Sequence, residues 1–154
     1  MNIMRKQNGF SMLEALVTLL IVSLGLLGIA GIIANSLKVN QGAQIRSQAS
    51  WLANDIIDRM RANRTIAGNI PAAYTLGNCA AIPIVDPIAQ ADLTQWCAAV
   101  AAALPAGTGA LALVVNPATA TALATVTATV TVQWDDTRAA GGVVGQQFVV
   151  ETRL

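Results

Sequence analysis

The hydrophobic positions of this chain change their spacing twice. From Ala15 to Ala34 they form an almost unbroken apolar run, and no charge falls between Glu14 and Lys38. Such a run matches the roughly 20 residues a helix needs to cross a bilayer. From Ile45 onward the pattern is amphipathic: Ile45, Ala49, Leu52, Ile56 and Met60 recur at helical spacing and share one face. Asp55 and Arg59 form an i, i+4 pair on the solvated side. Arg59, Arg61 and Arg64 stand where the negative end of a helix dipole favours cations. The stretch from Thr65 to Pro71, with Gly68 and Asn69, supplies a stop. The expectation is one helix from about Leu13 to about Arg64, its first half in lipid and its second half in a folded head.

Beyond Pro71 the chain reads as a loop to about Ala91, with Pro83 and Pro87 inside it. Asp92 then has the character of an N-cap, with Gln95 at the capping-box position, for a short Ala-rich helix from Leu93 to Leu104. Pro105-Ala106-Gly107 ends it. From Ala110 the spacing becomes two. Leu111, Leu113 and Val115 predict a first strand; Val126, Ala128, Val130, Val132 and Trp134 a second; Phe148, Val150 and Thr152 a third. A small antiparallel sheet with one apolar face must cover that face, and the stripe from Ile45 to Met60 is available to do so. The fold class expected is therefore α+β, a long N-terminal helix packed on a small antiparallel β-sheet.

One carboxylate, Glu14, sits at the mouth of the apolar run. A charge there is costly in hydrocarbon and marks a function or a specific partner, unless it only reaches headgroup water from the helix end. The residues ahead of it bear on that choice. Arg5 and Lys6 form a short basic leader, Gly9 follows, and Phe10 opens the apolar segment. This arrangement resembles the type III signal of type IV prepilins and pseudopilins. The resemblance implies that a membrane prepilin peptidase cuts between Gly9 and Phe10, that Phe10 becomes the methylated N-terminus, and that Glu14 matches the family's acidic position. The spacing also has a physical reason. A free amine on Phe10 would be a cation in lipid, costing several kcal/mol if uncompensated, and Glu14 of a neighbouring subunit would neutralise it. Glu14 also complements the positive end of its own helix.

The competing reading is a secretory signal peptide cleaved at Gly28-Ile29-Ala30, but the apolar run is longer than the usual h-region of roughly 7 to 15 residues. Gly25, Gly28 and Gly31 recur every third position, not at the four-residue spacing of close helix pairs. Each weakens helix propensity by about 1 kcal/mol relative to Ala.

Composition narrows the function classes. Nine Lys and Arg face eight Asp and Glu, so there is no basic excess to bind nucleic acid. With Arg5 and Lys6 removed the balance becomes seven against eight. The absence of histidine removes the commonest general base and metal ligand. No nucleophile and base stand in a recognisable motif, so an enzyme is not expected, and neither a cofactor nor a metal. Trp134-Asp135-Asp136 has the acids of a calcium site, yet calcium wants six to eight oxygens, and a turn is the simpler reading. If the basic leader stays inside, Cys79 and Cys97 both lie outside the cytoplasm, where a disulfide persists. The alternative is two buried thiols.

The stretch Asp58-Arg59-Met60-Arg61-Ala62-Asn63-Arg64 reads, from its residues alone, as a helix end with a charged outer face. It resembles the signature of the PilV family of type IV pilus modification proteins, which are minor pilins. Trp134-Asp135-Asp136 and Thr152-Arg153-Leu154 are similar to that family too. The resemblance implies a pilin-like fold with a cleaved leader (residues 1–9), a transmembrane half-helix (residues 10–34) and a periplasmic head (residues 35–154). It implies a minor pilin that helps to prime pilus assembly in a tip complex. Expected partners are prepilin peptidase, other minor pilins, the major pilin, a tip adhesin and inner-membrane lipid, with no nucleic acid. The chain would be single-pass in the inner membrane and then part of the pilus. A type II secretion pseudopilin is the alternative, and a membrane-anchored adhesin or enzyme is disfavoured.

Overall fold

The computed structural model describes residues 11–65, 71–118 and 125–154. Gly9 and Phe10 lie outside the described residues. The chain forms two compact units that divide between Leu37 and Lys38.

Helix α1 (Met12–Ala62) begins at Ser11, whose hydroxyl accepts the Glu14 N–H at 3.2 Å. This is one half of a capping box, satisfying an N–H that the first turn leaves without a helical partner. In the first unit, the side chains of α1 from Met12 to Leu37 are exposed, large apolar ones included. The segment is long and apolar enough to cross a membrane. The assignment remains helical through Gly25, Gly28 and Gly31, and none of the three has a neighbour within 4 Å of where a Cβ would stand.

The second unit is built on the rest of α1. Ala49, Leu52, Ala53, Ile56, Ile57 and Met60 are buried, with Ile45 partly buried at the start of the stripe. Asp55 accepts from Arg59 at 3.0 Å on the helix flank, and Arg61 reaches Asp58 at 3.2 Å. A short 3₁₀ turn (Pro71–Ala73) leads into Tyr74 and Leu76, both buried. Leu76 exchanges two backbone hydrogen bonds of 2.8 Å with Leu111.

Helix α2 spans Pro87–Ala103 and starts earlier than the sequence pattern predicts. Its cap is Asp86, whose Oδ1 accepts from the N–H groups of Ile88 at 3.0 Å and Ala89 at 2.9 Å. Pro87 at the first helical position costs no hydrogen bond, because that N–H would have had no helical partner. Asp92 is therefore inside α2 and not its N-cap, and Gln95 makes no capping box.

Three antiparallel strands follow in the order β1 (Thr108–Asn116), β2 (Thr125–Trp134), β3 (Gln146–Arg153). The register pairs Leu111 with Val130 and Val130 with Val150. On β2, Val126, Ala128, Val130, Val132 and Trp134 all point into the core, alternating with Thr and Gln. On the edge strand β3, Phe148, Val150 and Thr152 are only half-buried. On β1 the predicted inward series weakens along the strand: Leu111 is buried, Leu113 half-buried and Val115 exposed. The architecture is α+β and pilin-like, a long apolar N-terminal helix whose later turns pack, with α2, on a three-stranded antiparallel sheet.

Trp96 sits at the centre of the packing. Its ring occupies the space a Cβ on Gly109 would need, so only glycine lets β1 pass beneath the indole. Cys79 and Cys97 form a disulfide that ties the loop ahead of α2 to the helix itself, with their Cα atoms 5.5 Å apart. Closing a loop of this size stabilises a fold by about 3 kcal/mol in the chain-entropy model.

Candidate assembly site and the polar sites of the head

Glu14 occupies the third position of α1, and its carboxylate is exposed at the start of the apolar segment. Among the described residues it has no ion-pair partner. Two hydroxyls further along bond within the helix: Thr18 donates to the carbonyl of Glu14 at 2.9 Å, and Ser23 to that of Leu19 at 2.7 Å. Glu14 is thus the only acidic or basic side chain between Ser11 and Leu37, on a surface otherwise dominated by Leu, Ile, Val, Ala and Gly. Chemically this is an acceptor for a cation delivered in a low-dielectric environment, where the attraction is strongest. The local hydrogen bond between Ser11 and the Glu14 backbone gives this turn a structural role as well. Sequence reasoning missed this role of Ser11, although its Ser-x-x-Glu spacing to Glu14 is the signal that marks such a turn.

The head has two polar networks that join distant parts of the chain. In the first, the Tyr74 hydroxyl donates to Asp92 Oδ2 at 2.6 Å and accepts from the Asn63 side chain at 3.1 Å. Arg59 contacts the other oxygen of Asp92 at 3.4 Å and Gln95 Oε1 at 3.0 Å. Burial, and then the hydrogen bond to Asp92, push the Tyr74 hydroxyl up to about 12. Arg59 and Asn63 of the charged helix end therefore clamp α1 to α2 through Tyr74 and Asp92.

The second network joins α1 to the connection that follows β2. Asp136 is fully buried and pairs with Arg46 of α1 at 3.4 Å, leaving its Oδ1 without a protein partner. Gly42, one turn earlier, lies so close to the β2–β3 connection that a Cβ would stand 2.8 Å from Ala139 Cβ. Asp135 instead accepts the Thr137 N–H at 2.9 Å in a turn, and this bond holds its carboxyl below the usual range. The two adjacent acids thus have separate structural duties, one in a turn and one in an ion pair. Among the described residues no group of three or more His, Cys, Asp or Glu is placed to hold a metal. Neither network was visible in the sequence, because each joins residues far apart along the chain.

Residues 4–30 match the model of the prokaryotic N-terminal methylation motif. The match contains Gly9, Phe10 and Glu14 and continues into the apolar run. No curated protein and no solved structure shows significant similarity to the chain. The motif and the long apolar helix fit a membrane-anchored protein of the pilin and pseudopilin class, structural in character and processed by prepilin peptidase.

Proposed function

We propose that this protein is a minor pilin of a type IV pilus. Prepilin peptidase cuts between Gly9 and Phe10, Phe10 is methylated, and the chain then joins other minor pilins and the major pilin to prime assembly, in a tip complex with an adhesin. Before assembly the head is held in the periplasm by α1. The observation that carries this reading is Glu14, an exposed carboxylate with no ion-pair partner among the described residues, in the first turn of an apolar helix that lies within a matched methylation motif. The free amine of Phe10 on one subunit and Glu14 on the next supply the two charges such a turn needs to neutralise in lipid. The similarity of Asp58 to Arg64 to the PilV signature favours the pilus over a secretion pseudopilus.

Glu14→Ala tests it. The substitution improves helix propensity and makes the segment more apolar, so insertion is retained. Cleavage is retained because the scissile bond is elsewhere. Surface pili in a complementation assay should fall at least tenfold while a blot still shows processed protein. A variant that is processed, stable and assembles normally would reduce Glu14 to a helix-end acid with no part in assembly.

A further inference from the structure

β3 lies at the edge of the sheet, and its register with β2 runs unbroken from Thr127 opposite Arg153 to Trp134 opposite Gln146. Two observations fix which way its backbone turns. The Leu154 N–H donates to the Val126 carbonyl at 2.9 Å, so the even-numbered residues of β3 give their N–H and carbonyl groups to β2. Leu111 of β1 uses its own N–H and carbonyl on Leu76, so Val130 opposite it turns toward β3 and its partner Val150. The odd-numbered residues Gln147, Val149, Glu151 and Arg153 therefore point both backbone groups off the edge, and among the described residues none of these groups has a hydrogen-bond partner. Neither proline nor lysine blunts the edge between Gln146 and Arg153. The inner face is incompletely covered too: Phe148, Val150 and Thr152 are half-buried, whereas the residues opposite them, Val132, Val130 and Ala128, are buried. An added strand would complete both the hydrogen bonding and the cover.

The exposed side chains select which strand that is. Glu151 and Arg153 carry opposite charges, stand two residues apart on the same face of β3, and have no ion-pair partner among the described residues. We propose that β3 pairs antiparallel with β3 of a second copy of this chain, about a two-fold axis at Thr152. In that register Glu151 lies opposite Arg153 of the second copy and Arg153 opposite its Glu151, and each of these pairs exchanges two backbone hydrogen bonds. On the inner face Thr152 meets Thr152, and Val150 meets Leu154, all of them half-buried in the single chain. Every cross-strand pair is then of a favourable kind. Moving the axis to Glu151 sets two carboxylates against each other. Moving it to Val150 leaves both charges opposite neutral side chains, Glu151 on Val149 and Arg153 on Gln147. An unrelated strand would need matching charges at this spacing, whereas a second copy carries them by symmetry. Such pairing needs only the head, and holds whether the chain serves a pilus or another assembly. It withdraws from solvent an edge that otherwise recruits extended chains without discrimination.

The test is sedimentation velocity of the full chain in mild detergent across a dilution series. The unsubstituted chain should form a dimer. Glu151→Arg alone brings like charges face to face and should weaken association by about tenfold or more, and Arg153→Glu alone should do the same. Both side chains are exposed, so neither change disturbs the core. Mixed in equal amounts, the two variants should associate as strongly as the unsubstituted chain, because every facing pair is again of opposite sign. An unsubstituted chain that stays monomeric throughout the series would overturn the proposal. Dimers that survive either substitution unchanged would place the contact elsewhere and overturn it as well. Loss of association in each variant with no recovery on mixing would show that Glu151 and Arg153 do not face one another, with the same consequence.

Discussion

The indole of Trp96 joins α2 to α1: its Nε1–H donates to the carbonyl of Leu52 at 2.8 Å, in the buried interior, while its ring lies over Gly109 of β1. One side chain therefore sets the spacing of two helices and the sheet. Gly109→Ala places a methyl where the ring already is, an overpacking that costs about 2–3 kcal/mol. Trp96→Phe keeps most of the ring but leaves the Leu52 carbonyl without this donor, costing about 1–2 kcal/mol. Denaturant unfolding of the chain in mild detergent should rank Gly109→Ala as the more damaging of the two.

Asp136 and Arg46 form the second relation on which the head depends. Asp136 is fully buried, whereas the Arg46 side chain is 60% exposed, so removing the arginine leaves a carboxylate with no counter-charge and no route to water. Arg46→Met should cost about 2 kcal/mol in the unsubstituted protein. With Asp136→Asn already present, the same change should cost less than half as much. A double-mutant cycle reads the difference, and additivity of the two substitutions would show that the pair contributes nothing.

Tyr74 is the chain's single tyrosine, so tyrosinate absorbance follows it alone. Its hydroxyl is raised from 10.0 to about 12 by burial and by the bond to Asp92. A raised folded value means that the folded state favours the neutral form. The contribution is therefore complete below about pH 10 and is lost as the pH climbs through about 12. The absorbance midpoint should lie near 12 in the folded chain and near 10 in denaturant. Tyr74→Phe should be less stable at neutral pH, yet lose less stability than the parent protein between pH 10 and 12.

Periodicity carried most of the architecture. The inward alternation of β2 and the stripe on α1 depend on spacing alone, and both are present in the structure. The start of α2 was misplaced because Asp92 and Gln95 imitate a cap, while Asp86-Pro87, an acceptor followed by a residue with no N–H to lose, was the truer signal. What Asp92 does could not be read locally, since its partners Tyr74 and Arg59 are 18 and 33 residues away. The same holds for Asp136, whose ion pair spans 90 residues, and for Gly42, whose small size matters only because Ala139 lies against it. The N-terminal site is the reverse case. Glu14 and the residues before it form a local pattern, which is why a methylation motif is recognisable over residues 4–30 although no curated protein or solved structure matches the chain.

The central claim is that the chain is processed as a prepilin, and the mass of the mature protein from its own host tests it most directly. The expected product is a polypeptide that has lost Met1 to Gly9 and carries one methyl group on the amine of Phe10, with two hydrogens fewer than the free-thiol form because Cys79 and Cys97 are joined. A mature chain beginning after Ala30, or one that retains Arg5 and Lys6 in cells with active prepilin peptidase, would contradict it.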